Sequence, residues 1–217
     1  MEGAQARVLC PDLNLIPPNT HPDLYRSNLG HFLTQHAWTR ARLTAPGVTP
    51  FIPQCRNPAS PAHDQFFGVT LANPAASALT HMLAFFEAPE REQLLADPKR
   101  YVESISTLFE LGPGLSGNPD ILHGGATMAM VDEAMGALIE VNAALGKDAE
   151  AFRSVSVTAT LEIKFLQPVP TGQAVIATTW MESTERRKTR LRCEVRDEAG
   201  EELARVTSTW VALKANI

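Results

Sequence analysis

Residues 126–145 constrain the fold more than any other part of the chain. They follow a helical pattern and are apolar almost all the way round, and a helix of this kind lies in a core rather than on a surface. Gly146 follows directly, and glycine after the last helical turn commonly ends a helix. We therefore expect a buried helix that the rest of the chain must cover.

The part of the chain after this helix has the pattern of β-strands. Residues 155–165 alternate between apolar and polar side chains, which is the period of a strand with one buried face. Pro168 and Pro170 end this run. Three more strands are predicted at 174–182, 189–196 and 202–213, with a hairpin turn at 197–200. One helix followed by four antiparallel strands indicates an α+β domain.

The part before the helix is less regular. Residues 1–75 contain many X-Pro pairs, which disfavour helix before each proline, so we expect a loop-rich arm with one short helix near 31–42. Apolar residues at helical spacing predict a helix over 75–96, interrupted at Pro89. Residues 101–111 read as a strand and 115–120 as a loop. These patterns predict an N-terminal extension at 1–97 and a domain at 98–217.

Composition excludes several classes of protein. The net charge is −5, whereas a nucleic-acid binder normally shows a basic face. The three cysteines are widely spaced and suggest no disulfide framework, which favours a reducing compartment. No secretory signal and no apolar run long enough to span a membrane is visible, so we expect a cytoplasmic protein, with a mitochondrial location left open. The six histidines show no metal-ligand spacing, so no metal site is expected.

Asp132 is the residue in the predicted helix that most needs an explanation. Residues three and four positions away are apolar or small, so a carboxylate there must find a partner or bind a proton more tightly. Either it caps a loop or pairs with a buried arginine, or it performs chemistry, and the small neighbours leave room for a ligand. Glu133 is the rival carboxylate, about 100° further round the helix.

The helix is preceded by His123-Gly124-Gly125. Glycines at a helix start let a ligand approach backbone N–H groups, and the helix dipole favours negative charge there. Such groups can form an oxyanion hole, which stabilises the negative oxygen of an acyl-transfer intermediate. The alternative is that His123 only bonds to the backbone at the helix entry.

Together these motifs resemble the hotdog-fold acyl-CoA thioesterases. The resemblance is carried by residues 121–136, with His-Gly-Gly and a carboxylate nine residues after the histidine, and by residues 157–168. It covers roughly residues 98–214 and implies a hotdog fold, in which a long central helix is wrapped by a curved antiparallel sheet. It also implies a homodimer or a dimer of dimers.

The resemblance implies specific roles for residues of this chain. Asp132 corresponds to the general base or nucleophile, Gly124 to the N–H that polarises the thioester carbonyl, and His123 to a residue that orients the site. A hydroxyl from the opposite subunit positions the attacking water, and Thr158 matches it best, with Thr160 as second choice. The remaining substrate contacts expected are Asn118, Gly125, Met128 and a basic turn for the coenzyme A phosphates at Arg186, Arg187 and Lys188.

Three functions are compatible with these residues. The first is hydrolysis of an acyl-CoA or acyl-carrier-protein thioester to an acid and a thiol, which needs no cofactor beyond the coenzyme A of the substrate. The second is a hotdog enzyme of a biosynthetic pathway that releases a polyketide, dehydrates or cyclises. The third is an acyl-binding module without catalysis.

Overall fold

The structure is a computed structural model that describes residues 8–10, 22–58, 60 and 64–214. Two helices begin the described chain, and the longest helix comes before the last four strands. In chain order they are α1 (Pro22–Thr34), α2 (Ala37–Leu43), β1 (Val48–Phe51), β2 (Leu79–Glu87), α3 (Arg91–Ala96), β3 (Ser104–Leu111), β4 (Ser116–Asn118), β5 (Ile121–Leu122), α4 (Gly124–Ala144), β6 (Ser156–Phe165), β7 (Gln173–Glu185), β8 (Lys188–Arg196) and β9 (Glu202–Ala212).

Seven of the strands form one antiparallel sheet in the order β1-β2-β3-β7-β8-β9-β6. The apolar helix α4 packs against one face of this sheet and forms the main core with it. The predicted hotdog fold, a long helix against an antiparallel sheet, is therefore confirmed, as are the four strands after the helix. Both ends of α4 also match the prediction closely, with Gly146 in the left-handed region at φ 67°.

The helix predicted at 75–96 is wrong for its first half, because β2 occupies residues 79–87. Met82 and Phe86 face α4, whereas Leu83 and Phe85 face the opposite side of the sheet, where helix α1 contributes Phe32. A strand that is covered on both faces lacks the alternation of apolar and polar residues, so the spacing of its apolar residues can match that of a helix. The short restart expected after Pro89 is present as α3.

Two layers therefore cover the sheet. Helix α4 lies on the face that we call inner, and helices α1 and α2 lie on the opposite face, which we call outer. The predicted short helix near 31–42 is in fact these two helices. The sheet also crosses the expected boundary at residue 97, because β1 and β2 come from the N-terminal part and β2 pairs with β3. The division into two parts stays a prediction.

Two contacts fix α4 in place. A Cβ at Gly136 would lie 3.0 Å from the Trp210 ring of β9, so the helix and the ring pack more closely than an alanine would allow without a small shift of the ring. The Asn142 side chain accepts a hydrogen bond from the Val102 N–H and donates to the Val102 carbonyl oxygen, which ties the helix to the chain before β3. Within the described ranges, no helix is both long and apolar enough to cross a membrane.

Candidate active site

Asp132 meets Thr158 where the middle of α4 passes the edge strand β6. The Thr158 hydroxyl donates a hydrogen bond of 2.7 Å to Asp132 Oδ1. A hydrogen bond to an ionised acceptor is among the stronger ones in proteins, and it fixes the orientation of the carboxylate. Among the residues that the structure describes, no donor contacts the second carboxylate oxygen, which leaves it open to a water molecule.

A β-bulge aims Thr158 at the helix. Thr158 pairs with Trp210 and Thr160 pairs with Thr209, so Ala159 is the extra residue on β6. Residues opposite each other in an antiparallel pair point to the same face, and Trp210 packs against α4. Thr158 therefore faces the helix and Thr160 faces away from it, which removes Thr160 as an alternative partner for Asp132. Bulges commonly re-aim a side chain in this way.

The start of α4 presents backbone N–H groups that meet no acceptor among the residues that the structure describes. His123 is the N-cap residue, and its Nδ1 accepts a hydrogen bond of 3.0 Å from the Gly125 N–H. Across the described part of the chain, the Gly124 N–H meets no acceptor. Gly124 lines an open cleft of about 360 Å³ together with Phe165 of β6. The expected oxyanion donor is thus exposed, whereas the Gly125 N–H is used by the histidine cap.

Glu133 lies in a different environment from Asp132. It forms a side-chain hydrogen bond with the buried Cys55, and burial raises its pKa to about 7. Burial likewise raises the pKa of Glu140, two turns further along α4, to about 8, and the repulsion from Glu133 adds to this. Glu133 therefore faces the N-terminal part of the chain, so the geometry favours Asp132 as the carboxylate that meets a substrate.

The structure corrects the expected division of the site between subunits. Thr158 reaches Asp132 within one chain, so the expectation that this hydroxyl comes from the opposite subunit is wrong. Gly124 and Asp132, in contrast, are eight residues apart on α4, which is about 12 Å along the helix axis. A bound water, the carbonyl that it attacks and the oxyanion contact together span about 10 Å. These contacts and the Asp132 side chain would have to be fully extended along the helix to bring both groups of one chain to the same thioester.

An apolar cavity of about 30 Å³ lies beside the first turns of α4. Helix residues Ala126, Ala129 and Met130 line it on one side, and Phe66 and Phe67 of a π-helical turn at Phe66–Thr70 close it on the other. Sequence reasoning missed the contribution of this turn, because the aromatic pair lies in a segment without strand or helix periodicity. Met128, the expected lining residue, lies outside the cavity and is 41% exposed.

The remaining expected substrate contacts lie at the surface. Asn118 is exposed at the end of β4, in a short hairpin with β5 where a loop was expected. Arg186 is at the tip of the β7–β8 turn with φ 51°, and Lys188 begins β8. Arg187 instead donates a hydrogen bond to the Ala212 carbonyl oxygen, so its guanidinium group already has a partner within the chain.

The basic turn lies at the same end of the sheet as Asp132 and Thr158. Lys188 pairs with Val211 of β9, and Val211 pairs with Val157 of β6. Two strand spacings, or about 10 Å, therefore separate the backbone of Lys188 from the residue next to Thr158. Arg186 and Lys188 are exposed. Lys188 shares the face of Val211, which alternates with the inward-facing Trp210, so the Lys188 side chain points to the outer side of the sheet, away from Thr158.

The sequence is similar to a family model and to several known proteins. Residues 120–204 match the family model described as the thioesterase superfamily, and these residues run from the hairpin before α4 into β9. Verlamelin biosynthesis protein B of Lecanicillium sp. is 26% identical over 156 residues, which are 63% of this chain and 68% of that protein. Acyl-coenzyme A thioesterase THEM4 of Bos taurus is 36% identical over 100 residues.

The coverage of these matches differs. The THEM4 match includes 46% of this chain and 35% of the bovine protein, so this chain corresponds to about a third of that relative. Among solved structures, a hypothetical thioesterase of Streptococcus pneumoniae TIGR4 with coenzyme A is 12% identical with a TM-score of 0.45. That alignment covers 52% of this chain and 80% of the other. A similarity of this size carries no argument about activity.

Proposed function

We propose that this chain, whose residues 120–204 match the model of the thioesterase superfamily, hydrolyses acyl thioesters of coenzyme A or of a carrier protein. The observation that carries the proposal is the pairing of Asp132 with Thr158, on the same helix whose first residue, Gly124, presents a free N–H. A carboxylate base and an oxyanion donor are the two groups that water needs to attack a thioester.

The chemistry assigns one step to each group. The free oxygen of Asp132 removes a proton from water, and the hydroxide attacks the thioester carbonyl carbon. The Gly124 N–H donates to the oxygen as it becomes negative, and the C–S bond then breaks. The proton held by Asp132 passes to the departing sulfur, so the products are a carboxylic acid and a thiol. Thr158 holds Asp132 in position through both proton transfers.

The functional unit that supports this chemistry is a homodimer with two composite sites. Asp132 and Thr158 of one subunit would face Gly124 of the other, because only a fully extended line of contacts would join the two groups of one chain. The edge strand β6 supports this assembly, since Val155 and Phe165 on or beside it are 71% and 48% exposed. A long, apolar and unpaired edge strand is unfavourable in water unless another chain covers it.

The substrate class follows from the surroundings of the site. The cavity beside α4 has an almost entirely apolar lining, which suits a hydrophobic acyl group. Since it is only about 30 Å³ in this conformation, the acyl chain has to displace the Phe66–Thr70 turn or its side chains. Arg186, at the tip of the β7–β8 turn, would contact the phosphates of coenzyme A. We also propose that the protein is located in the cytoplasm, with the mitochondrion as the alternative.

A panel of acyl-CoA esters of increasing chain length, with detection of the released thiol, tests the activity. Asp132→Asn keeps the shape of the side chain and an acceptor for Thr158 but removes the base, so turnover should fall at least about 100-fold. The melting temperature should hold or rise, because a half-buried carboxylate is lost. Full turnover in a destabilised variant would contradict the assignment and move it to Glu133.

The second candidate is a biosynthetic hotdog enzyme, and the similarity to verlamelin biosynthesis protein B favours it. In that case carrier-protein thioesters should react and simple acyl-CoA esters should not. An acyl-binding module is the third candidate. It would bind the acyl-CoA panel without any thiol release, and Asp132→Asn would leave that affinity unchanged.

A further inference from the structure

A cluster of two histidines and one glutamate lies outside the candidate active site. His31 is in the last turn of α1, His36 is the residue before α2, and Glu110 is on β3. His31 Nε2 and His36 Nε2 lie 2.9 and 2.7 Å from the same oxygen, Glu110 Oε2. All three atoms lie within 4.8 Å of one another. Three separate elements thus bring three metal-binding groups to one point.

This cluster is on the outer face of the sheet. On β3, Phe109 and Leu111 pack toward α4, whereas Leu108 packs with the residues of the outer face, and Glu110 has the same parity as Leu108. The cluster and Asp132 are therefore on opposite sides of the sheet. Any ligand held by the cluster acts on the attachment of α1 and α2, not on the thioester.

A fourth residue fixes the direction of one imidazole. His81 of β2 pairs with Glu110 across the sheet, and its ring stacks on the His31 ring with centroids 3.8 Å apart and planes 5° apart. The stacked ring limits how His31 can turn. Groups that hold a ligand in one orientation are typical of built metal sites.

The donor atoms suit a transition metal. Imidazole nitrogen and carboxylate oxygen bind Zn²⁺ at about 2.0–2.2 Å, and a tetrahedral ion then separates its ligands by about 3.4 Å. The two nitrogen–oxygen distances would need to widen by less than about 1 Å. The side chains of both histidines are 20% exposed and that of Glu110 is 17% exposed, so an ion and a water ligand can reach them.

We propose that His31, His36 and Glu110 bind a divalent transition-metal ion of the Zn²⁺ class, which fastens the α1–α2 pair to the outer face of the sheet. The prediction of no metal from histidine spacing considered only linear sequence, and the carboxylate lies 74 residues after His36. A second cluster, Cys55, Asp64 and Glu133, is a weaker candidate. Its Asp64 Oδ1 already accepts hydrogen bonds from the N–H groups of Phe67 and Gly68.

The test is a Zn²⁺ titration of the full chain after removal of metal with a chelator, followed by calorimetry and elemental analysis. We expect one Zn²⁺ per chain and a rise in melting temperature of about 5–10 °C at a free Zn²⁺ concentration about 100-fold above Kd. The variants His36→Gln and Glu110→Gln should each lose the stoichiometric ion and the thermal shift. His123→Gln, a histidine outside the cluster, should keep both.

Two further measurements exclude unfolding of the variants and binding of the ion at another site as explanations of this result. Near-ultraviolet circular dichroism establishes that each glutamine variant is folded, and His31→Gln replaces any variant that is not. Substitution with Co²⁺ reports the ligand atoms, because a thiolate ligand gives a charge-transfer band and a His₂-carboxylate set does not. Absence of Zn²⁺ binding, retention of one Zn²⁺ in His36→Gln and Glu110→Gln, or a thiolate band that assigns the ion to Cys55 would each overturn the proposal.

Discussion

Replacing Gly124 by proline isolates the contribution of one N–H group. Gly124 is the first residue of α4, a position that proline tolerates because the N–H there has no partner within the helix. The preceding His123 has φ −61° and ψ 133°, which is the extended conformation that a residue before proline prefers. The substitution therefore removes the proposed oxyanion donor while it leaves the helix start intact.

The expected loss can be estimated from the role of the group. Removal of one oxyanion-hole donor typically costs about 10²–10³ in kcat, or about 3–4 kcal/mol of transition-state stabilisation. KM should change little, because the ground-state carbonyl is a weaker acceptor than the developing oxyanion. The assay is thiol release from the acyl-CoA ester that the wild-type protein hydrolyses fastest.

Gly124→Ala is the matched control. It keeps the N–H and adds only a Cβ, which would lie 3.6 Å from the Phe165 ring, an ordinary van der Waals distance. The alanine variant should retain kcat within a few-fold of the wild type. Wild-type kcat in a folded Gly124→Pro protein would refute the oxyanion assignment. Equal losses in both variants would show that space, rather than the N–H, matters at this position.

Three further predictions concern the bulge, the core and pH. Thr158→Val should lower kcat about tenfold or more, because a charge-assisted hydrogen bond to the catalytic carboxylate is worth about 1.5–3 kcal/mol, whereas Thr160→Val should have no such effect. Gly136→Ala should lower the free energy of unfolding by about 1–3 kcal/mol in thermal melts, because its Cβ would crowd Trp210. The pKa of Glu140 is about 8 in the folded chain, whereas its ordinary value, which applies in the unfolded chain, is 4.5. Unfolding therefore becomes easier as pH rises from about 5 to 8, and urea denaturation of Glu140→Gln should show a smaller fall over that range.

The sequence predicts the parts of the fold where one physical signal dominates. Helix α4 is apolar all round and ends at a glycine, and the last four strands are separated by prolines or a turn. Strand β2 gives no such signal, because both of its faces are buried and its apolar residues lose their alternation. Helices α1 and α2 cover its outer face, and that contact is between distant parts of the chain.

The candidate site, like the fold, could be predicted from the sequence only in part. The spacing of His123 and Asp132 indicates the helix that carries the chemistry, and the hydroxyl-bearing strand follows from the resemblance. The bulge at Ala159 cannot be deduced from alternation, although it decides that Thr158 and not Thr160 meets Asp132. The axial distance between Gly124 and Asp132 could have been derived from their eight-residue separation, and it is one reason for the proposal that a second subunit supplies the Gly124 N–H.

Mixing two inactive variants tests the composite site most directly. Neither the Gly124→Pro nor the Asp132→Asn homodimer would contain an intact site, but their heterodimer would contain one, because both changes fall in the other site. Random exchange should restore about a quarter of the wild-type thiol release, since half of the dimers would be mixed and each would have one working site. A mixture of Asp132→Asn with Thr158→Val should release no more thiol than its Thr158→Val component alone, because these residues act from the same chain. No recovery with Gly124→Pro, after exchange of subunits has been demonstrated, would contradict the account.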